Sequence, residues 1–502
     1  MAAPDPHAVA AWTKICHHCD GIAIGTTVAT LTEREAFALM DKPVSPDILA
    51  LILGFAPGYL QLACKLLASQ GFVALMPGSV VLTDTGRAWL AQADRYRDMP
   101  QRTAQGRAMF TALTGGGGTG PGDLVLPKRG GDPLTERVSC QLRGPMVAAA
   151  MLGLVRSGRL NGSPDDPATR SAMAVLAAEG WATDEQLTPE GQAAVGMAAQ
   201  YAYPICYLPT YESVSALLTG GKMPTPQPGE IETHVDRALD IDFSGIVFAR
   251  NCRTPFFDLA LPIFDTNDVQ AQPKAVVDTG SGDGTLLSEL YLAIRQRTRR
   301  GQLLDRFPLT LVGVEINEVA RAATARRLAS LDTPWRSLRG DIGKPEAIAA
   351  SLAREGIPAE DVLHVSKSVL HNRTYVRPSV TFAPPAMHAV FVDADGSAID
   401  PSLAYGSLAE LLAAWAPRTR RHGMIAIEAH TVDPALAARH VGRSLITPLD
   451  ASHGYSRQML VEIEVHRAAV AAAGYRTIAT RDVGERMVGR PLMSVDHIIP
   501  AN

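Results

Sequence analysis

The chain has 502 residues, of which 46% are apolar and 20% are charged, so we expect a globular protein of two or three domains. Its formal net charge of −4 at pH 7 argues against a general binder of nucleic acids or other polyanions. The N-terminus lacks the basic and apolar segments of a signal peptide, and the longest apolar stretch, 48–56, is too short to span a bilayer, which predicts a cytoplasmic protein without a membrane partner.

A repeated pattern occupies the first 230 residues. Segments 67–72 and 82–86 recur as 176–181 and 187–191. Each copy predicts a helix that ends at glycine, an aromatic strand, a turn, and a second strand that closes on Leu-Thr-x-x-Gly. This order is typical of the last helix and the wing of a winged-helix unit.

The repeat predicts the domain organisation. We expect a winged-helix-like dimerisation or lid domain over residues 1–110 and a second winged-helix-like unit over 123–222. The glycine-rich stretch 114–122 predicts a flexible connection between them. The proline-rich stretch 223–229 predicts a stiffer connection before a catalytic domain over 230–502.

The charge of the first winged-helix unit indicates whether it could bind DNA. Residues 1–100 contain seven Lys or Arg and nine Asp or Glu, which leaves a local net charge of −2. The helix that would enter the major groove, 57–70, carries only one charged residue, Lys65. Groove binding needs several cations on the phosphates and polar side chains on the bases. We therefore expect no nucleic-acid partner and a homodimer formed through this region.

The six cysteines are scattered, and a disulfide framework is not expected in a large cytosolic chain. Cys16 and Cys19 enclose two histidines with the spacing of half a zinc site, but no second pair follows at a set distance. We interpret these residues as side chains of one helix.

The segment 275–284 carries the clearest functional signal. A short β-branched strand runs into Asp278, and Gly280, Gly282 and Gly284 precede a helix-forming run. Strand, glycine turn and helix form the first unit of a doubly wound α/β sheet, whose ligands bind beyond the carboxyl ends of the strands. The glycines let the backbone approach a ligand closely, and the helix start offers unpaired N–H groups to an anionic group.

Acidic residues favour S-adenosylmethionine over a dinucleotide. Dinucleotide folds usually read G-x-G-x-x-G with a later acid, whereas this segment reads D-x-G-x-G-x-G. The next strand ends at Glu315, which suits ribose hydroxyls, and a third ends before Asp341, which could meet the adenine amine. Three acids that close three successive strands are typical of class I methyltransferases. The predicted cofactor-binding residues are Asp278, Gly280, Ser281, Gly282, Gly284, Glu315, Asp341 and Ile342.

Strands and helices alternate after residue 275. They predict an α/β fold, the Rossmann-like doubly wound sheet of class I methyltransferases, preceded by the mostly α-helical winged-helix-like region. Later strands are predicted to end at 364–366, 390–393 and 424–430, and a hairpin-like pair at 475–480 and 495–499 closes the sheet.

Histidines in the last third suggest a metal. A carbon nucleophile beside a carbonyl needs its enolate stabilised, which a Lewis-acid metal can do. His430 follows a predicted strand, and His453 is predicted to open the next long helix with Gln458 in its first turns. Two imidazoles with an amide or a carboxylate suit mononuclear non-haem iron. Glu462, predicted one turn beyond Gln458 on the same face, is the alternative third ligand.

Further catalytic candidates follow the strand at 364–366. His371 could act as a base or donate to a carbonyl group, and Arg373 could hold a carboxylate or phosphate. A structural network at the pocket rim would explain both residues equally well. His364 and Asp393 also lie at predicted strand ends.

Several segments together resemble the C-methyltransferase domains of polyketide synthase loading modules of the apratoxin-synthase type. The likeness spans about 60–500 and is carried by segments 58–71, 278–284, 340–342, 363–373 and 453–458. In that family a helical lid precedes a class I core, and mononuclear iron activates a malonyl-type thioester on an acyl carrier protein. The resemblance implies His430, His453 and Gln458 as iron ligands.

The resemblance implies an S-adenosylmethionine-dependent C-methyltransferase of secondary metabolism that methylates the α-carbon of a carbonyl substrate. Its acceptor would be a malonyl-type thioester on a carrier protein in trans, or a free 2-oxo or β-dicarbonyl acid. The alternative is a metal-free O- or N-methyltransferase of small molecules that uses His430 or His371 as base. A third reading, a DNA-binding sensor of S-adenosylmethionine, conflicts with the acidic N-terminal region.

Overall fold

The computed structural model of the protein describes residues 5–115, 126–161, 166–183, 186–224 and 232–501. Most of the two predicted connections, 114–122 and 223–229, lies outside the described residues. The chain forms two compact units. Unit 1 comprises Met1–Asp236, Val392–Ala398 and Asp433–Arg457, and unit 2 comprises Arg237–Phe391, Ile399–Val432 and Gln458–Asn502.

Unit 1 is mostly helical, which confirms the helical N-terminal region predicted from the sequence. Its helices before residue 236 are α1 (Pro6–Glu33), α2 (Ala36–Leu39), α3 (Pro46–Leu53), α4 (Pro57–Ser69), α5 (Asp84–Leu90), α6 (Met99–Leu113), α7 (Pro133–Ser157), α8 (Pro167–Glu179), α9 (Pro189–Met197), α10 (Ala202–Cys206), α11 (Leu208–Glu212) and α12 (Val214–Leu218). Two antiparallel hairpins accompany them: β1 (Val73–Met76) with β2 (Ser79–Leu82), and β3 (Ala182–Thr183) with β4 (Gln186–Leu187).

The repeat seen in the sequence has the same local geometry in both copies. Thr83 and Thr188 each begin a helix, and each hydroxyl accepts a hydrogen bond from the amide of the glycine three residues later, Gly86 or Gly191. A Cβ on either glycine would clash with the carbonyl oxygen of the aromatic residue that opens the preceding hairpin. The Leu-Thr-x-x-Gly pattern therefore reflects a helix cap that lies directly against the hairpin backbone.

The two longest helices of unit 1 pack at glycines. A Cβ on Gly21 of α1 would overlap the backbone of Gln141, and one on Gly144 of α7 would overlap the backbone of His18. Within the described ranges, α7 is also the one single helix long and apolar enough to cross a membrane, and 94% of its most apolar window is buried inside the protein. The bent pair α3 and α4 passes the same test of length and composition together.

The remaining elements build unit 2, except for two helices near residue 440 and two short strands, 391–392 and 398–399, which each have one residue in each unit. The helices are α13 (Arg237–Val247), α14 (Arg253–Ala260), α15 (Thr285–Arg297), α16 (Glu318–Leu328), α17 (Pro345–Arg354), α18 (Pro401–Trp415), α19 (Pro434–Ala438), α20 (Ile446–Tyr455), α21 (Ile463–Ala472) and α22 (Glu485–Val488), of which α19 and α20 belong to unit 1. The strands are β5 (Ala275–Thr279), β6 (Thr310–Glu315), β7 (Trp335–Arg339), β8 (Val362–Lys367), β9 (Phe391–Val392), β10 (Ala398–Ile399), β11 (Met424–Ala429), β12 (Tyr475–Val483) and β13 (Met493–Pro500).

Seven strands form one sheet in the order β12-β13-β11-β8-β5-β6-β7. The five strands from β11 to β7 are parallel, and β13 runs antiparallel between β11 and β12. This is the predicted class I methyltransferase sheet with its terminal hairpin, and the fold class is confirmed. Successive residues of β5 face opposite cores, because Val276 packs with α14 and α15 while Val277 packs with α18 and α21.

Two predicted strand positions are wrong. The segment 390–393 is not a strand of the main sheet: β9 pairs only with β10, across a tight turn in which the Asp393 amide donates to the Ser397 carbonyl at 2.9 Å. The strand predicted to end at 364–366 continues to Lys367, so His364 lies opposite Val277 in the middle of the sheet, where its ring packs edge-on against Trp415.

Candidate active site

The carboxyl ends of five parallel strands form one edge of the sheet in unit 2. β5 ends at Thr279, β6 at Glu315, β7 at Arg339, β8 at Lys367 and β11 at Ala429. Because these strands run the same way, the residues that end or follow them lie at this edge, where ligands of doubly wound sheets bind. All eight predicted cofactor-binding residues, together with His371, Arg373 and His430, therefore belong to this edge, which we call the active edge.

The glycine loop after β5 needs glycine for two different reasons. Left-handed φ angles of +81°, +57° and +79° occur at Gly280, Gly282 and Gly284. A Cβ on Gly280 would in addition clash with Cγ2 of Val369, whereas one on Gly282 would have nothing within 4 Å among the described residues. Gly280 thus packs tightly against the loop after β8, while Gly282 leaves open space beside bare backbone.

Hydrogen bonds fix the glycine loop against the neighbouring strand and helix. Ser281 Oγ lies 2.9 Å from Thr324 Oγ1 on α16. The amide of Gly282 donates to Glu315 Oε1 at 2.8 Å, and the amide of Ile316 donates to Glu315 Oε2 at 3.2 Å. Glu315 therefore orients the loop, and its oxygens retain lone pairs for a further donor such as a ribose hydroxyl.

The other two predicted acids differ in environment. Asp278 is buried, and its Oδ1 has no hydrogen-bond partner among the described residues. Burial raises the pKa of Asp278 to about 7, with a further contribution from the charge of Glu315, whose own pKa is raised by burial. Asp341 is half-buried and accepts from the Gly343 amide at 2.9 Å, and the adjacent Ile342 is buried.

His371 is oriented by a buried carboxylate at the end of β11. Its Nδ1 lies 2.6 Å from Oε2 of Glu428, whose Oε1 accepts from the amides of Val369 and Leu370 at 3.2 and 3.1 Å. Burial opposes ionisation of Glu428, but the charge of His371 and its hydrogen bond outweigh burial and hold the pKa of Glu428 at about 2. With Nδ1 donating to Glu428, the basic lone pair of the imidazole lies on Nε2.

Arg373 is buried among backbone carbonyls. Its two terminal nitrogens donate to the carbonyl oxygens of Leu370 and Ala404 at 2.8 and 3.0 Å. Burial lowers its pKa to about 10. These contacts tie the loop after β8 to α18, which is the structural network that the sequence left as an alternative to substrate binding.

His430 is buried immediately after β11. Its Nδ1 lies 3.3 Å from the carbonyl oxygen of Val461, and its Nε2 lies 3.0 Å from Oγ of Ser494. Burial, and then the charge of His466, lowers the pKa of His430 to about 3, so the imidazole is neutral at physiological pH. Near Val461, Glu462 uses Oε1 to accept from the His388 amide at 2.6 Å, and its buried Oε2 has no hydrogen-bond partner among the described residues.

The prediction that His453 opens a helix is wrong. Helix α20 begins at Ile446 and ends at Tyr455, so His453 lies in its last turn, and Gln458 follows the helix rather than lying in its first turns. The reason lies in the backbone of the next segment: Met459 donates to the His371 carbonyl at 2.7 Å, and the Val461 carbonyl accepts from Thr431 at 3.2 Å. Extended backbone therefore separates Gln458 from Glu462, and the two do not share a helix face.

His453 belongs to unit 1, whereas His430 and Gln458 belong to unit 2. Nδ1 of His453 lies 2.7 Å from the carbonyl oxygen of Leu449, one turn earlier in α20, and 2.6 Å from the hydroxyl of Tyr203. Donation from Nδ1 to this carbonyl places the lone pair of His453 on Nε2.

A different group of possible metal ligands lies in unit 1. His18, Cys140 and Glu179 are buried, and their ligand atoms lie within 4.8 Å of one another. Arg143 already donates to Glu179 at 2.6 Å, and Lys14 lies 3.6 Å from the same carboxylate. Because two cations already neutralise this carboxylate, the group is a structural charge network. Cys16 and Cys19 are buried within α1, in agreement with their interpretation as residues of one helix.

Comparison with protein families agrees with this geometry. The model of the AprA MT2-like domain matches residues 232–483, which is half of the chain, and the model of the AprA N-terminal domain matches residues 12–75. The chain belongs to the AprA MT2-like family. It is an S-adenosylmethionine-dependent methyltransferase, as the glycine loop and the acids of the active edge predicted. No curated protein matches the methyltransferase by sequence.

Solved structures resemble the methyltransferase only distantly. They include an O-methyltransferase family 2 protein from Planctomyces limnophilus DSM 3776 in complex with apigenin (11% identity, 99% of this chain and 97% of that chain, TM-score 0.42), DszA carbon methyltransferase (11%, 99% and 94%, 0.37) and CurJ carbon methyltransferase (10%, 96% and 91%, 0.34). At these identities and scores they do not bear on the acceptor atom.

Two residues of the active edge were missed by the sequence analysis. Glu428 lies inside an apolar strand and belongs to no motif, although a carboxylate at the end of a central strand was a usable signal. Lys367 was missed because the strand was ended too early. Its side chain is buried, and Nζ donates to Ser244 Oγ at 2.6 Å.

We expect the binding of S-adenosylmethionine to tighten about tenfold between about pH 6 and pH 8. Asp278, with its pKa raised to about 7, becomes ionised over this interval, and a carboxylate attracts the cationic donor more strongly than a carboxylic acid does. Isothermal titration calorimetry at both pH values measures the change. Asp278→Asn should bind more weakly and lose most of the pH dependence, and an unchanged pH dependence in this variant would contradict the assignment.

Proposed function

We propose that the methyltransferase is a C-methyltransferase that methylates the α-carbon of a carbonyl substrate, with His371 as the general base. The observation that carries the proposal is the buried pair of His371 and Glu428 at the active edge. Membership of the AprA MT2-like family supports it. The class of acceptor comes from the resemblance of the sequence to C-methyltransferase domains of polyketide synthases.

A carbon acid demands such a base more than an oxygen or nitrogen nucleophile does, because a C–H carbon has no lone pair and must lose its proton before it can attack. Nε2 of His371 removes the α-proton, the electron pair of the C–H bond passes into the enolate, and the carbon then attacks the methyl group while the S–CH₃ bond breaks. The negative charge of Glu428 stabilises the imidazolium formed in this step. The backbone amides on the other oxygen of Glu428 keep the carboxylate in place.

Glu428→Gln should lower kcat by about 10²–10⁴-fold and leave the Kd of S-adenosylmethionine within about twofold. Glutamine keeps the shape of the side chain but neither selects the required tautomer of His371 nor stabilises its protonated form. Turnover with labelled methyl donor, and calorimetry for the donor, measure the two quantities.

Glu410→Gln is the matched control for this variant. Glu410 on α18 accepts hydrogen bonds from the amides of Ser379 and Val380 at 2.7 and 2.9 Å. These two amides lie in the same loop after β8 that carries His371. The control makes the same loss of charge without a contact to the base, and kcat should stay within about threefold. Full turnover in Glu428→Gln, or equal losses in both variants, would contradict the role of the pair.

Iron is the second part of the proposal, and it comes from the resemblance of the sequence to iron-dependent C-methyltransferase domains. His430 and His453 each place Nδ1 beside a backbone carbonyl, and Nε2 of His430 also lies 3.0 Å from Ser494 Oγ. The resemblance implies that His430, His453 and Gln458 would hold the ion, with Glu462 as the alternative third ligand. When bound, the metal would act as a Lewis acid that polarises the carbonyl oxygen of the acceptor.

Protein purified without chelator should contain about one iron per chain, and His430→Ala and His453→Ala should each lose most of it, because two imidazoles are required for a stable site. Elemental analysis measures the metal directly. His440→Ala is the control, since His440 is a half-buried histidine of unit 1 whose Nδ1 also lies beside a backbone carbonyl. Metal retained in both variants would remove iron from the proposal, and metal-free wild type with full turnover would favour the O- or N-methyltransferase.

The acceptor and the homodimer stay predictions of the sequence. Labelled donor incubated with malonyl-type thioesters on carrier proteins and with free 2-oxo and β-dicarbonyl acids identifies the acceptor. Carbon-13 NMR of the product then distinguishes a new C–CH₃ group from an O–CH₃ or N–CH₃ group, and either of the latter would overturn C-methylation. Sedimentation equilibrium tests the dimer.

A further inference from the structure

One face of α3, in the first copy of the repeat, is apolar and exposed. Ile48, Leu51 and Ile52 have the i, i+3, i+4 spacing of a single helix face, and they are 54%, 83% and 59% exposed. Leu49 and Ala50, on the other side of the helix, are buried. Single exposed aliphatic side chains are common on protein surfaces, but a contiguous group of them is a feature of interaction sites. We call this group the α3 face.

The second copy of the repeat provides an internal comparison. Helix α3 precedes α4 and ends before Gly54, and the last turns of α7 precede α8 and end before Gly158. Both glycines have left-handed φ angles, +66° and +69°. Counted back from these glycines, Ile52 corresponds to Arg156, which is exposed. The repeat therefore carries a charged side chain where this position meets water in the second copy, and an aliphatic one in the first.

We propose that the α3 face binds the α3 face of a second molecule of the protein about a two-fold axis. An interface of this kind is self-complementary, so the face needs no other partner. With Leu39 of the adjacent α2, the face offers roughly 400 Å² of apolar surface, similar to the apolar part of the about 800 Å² that each partner buries in a standard interface. The inference goes beyond the proposed function and does not depend on the acceptor.

Charge favours a second molecule of the protein over a membrane surface. Helix α3 contains one charged residue, Asp47, and no lysine or arginine, whereas helices that lie on membranes carry cations on their polar face. Lys42 is exposed before α3, and its neighbour Asp41 pairs with Arg87. Antiparallel packing of two α3 helices would place Lys42 near the carboxyl end of the other helix, whose terminal carbonyl groups carry partial negative charge.

Ile52→Arg tests the interface with the residue type that the second copy of the repeat carries at the corresponding position. Because Ile52 is exposed in one molecule, the variant should keep the far-ultraviolet circular dichroism of wild type. Two arginines would however face each other across the two-fold axis. In sedimentation equilibrium of the full chain, wild type should dimerise, and Ile52→Arg should raise the dimer Kd at least about 100-fold.

Val9→Arg is the matched control. Val9 is 49% exposed and lies near the start of α1. The 28 residues of α1 extend about 40 Å, so Val9 is far from α2 and α3, which follow the other end of that helix. The control makes the same change of charge at another exposed aliphatic side chain of unit 1, and the dimer Kd should stay within about twofold.

Cross-linking tests the same face without disrupting it. All six cysteines are buried, so a cysteine introduced on the surface is selectively accessible to a maleimide. A short bis-maleimide should join two molecules of Leu51→Cys into a covalent dimer. It should leave Val9→Cys monomeric in a denaturing gel.

Three outcomes would overturn the proposal. Wild type that stays monomeric up to about 100 μM would show that the face does not self-associate. A dimer that Ile52→Arg leaves intact would place the interface elsewhere. Monomeric wild type that floats with phospholipid vesicles, and loses this property in Ile52→Arg, would assign the face to a membrane surface. None of these measurements uses an acceptor or a metal, so their failure is distinct from a failure of C-methylation.

Discussion

Charge that is buried without a direct partner is the constraint on which the active edge depends. Asp278 is buried near the end of β5 and Lys367 at the end of β8, and removing a charge from water costs several kcal/mol when it is not neutralised. The raised pKa of Asp278 is one consequence of this cost. A cationic donor such as S-adenosylmethionine would offset this cost at Asp278 when it binds.

In the proposed mechanism, different strands of the active edge contribute to binding of the methyl donor and of the acceptor. In the proposed mechanism, β5 and β6 supply the donor side through the glycine loop and Glu315, whereas β11 supplies the acceptor side through Glu428 and His430. β8 lies between them, and His371 follows it in the next loop. Methyl transfer needs the acceptor carbon, the methyl group and the sulfur in line, and residues at one edge of a parallel sheet can hold the reacting groups in such a geometry.

The sequence predicted what is local. The glycine loop and its acids lie within a few residues of each strand end, so they could be recognised without a structure. The same holds for the helix caps that accept from the amides of Gly86 and Gly191, because each is a four-residue Thr-x-x-Gly pattern. The partnership of His371 and Glu428 could not, because 57 residues separate them and Glu428 lies within an apolar strand. The end of α20 could not either, since it depends on backbone hydrogen bonds that Met459 and Val461 make to distant segments.

One short segment contacts both the glycine loop and the carboxylate that orients His371. Val369 packs its side chain against Gly280, so closely that a Cβ there would clash, and donates its amide to the same carboxylate that orients His371. The preceding residue, Ser368, adopts a left-handed φ of +57°, which is unfavourable for serine. Its amide donates a hydrogen bond to the Ile427 carbonyl at 2.7 Å, which holds this conformation. The glycine loop and the carboxylate that orients His371 therefore both contact one backbone turn.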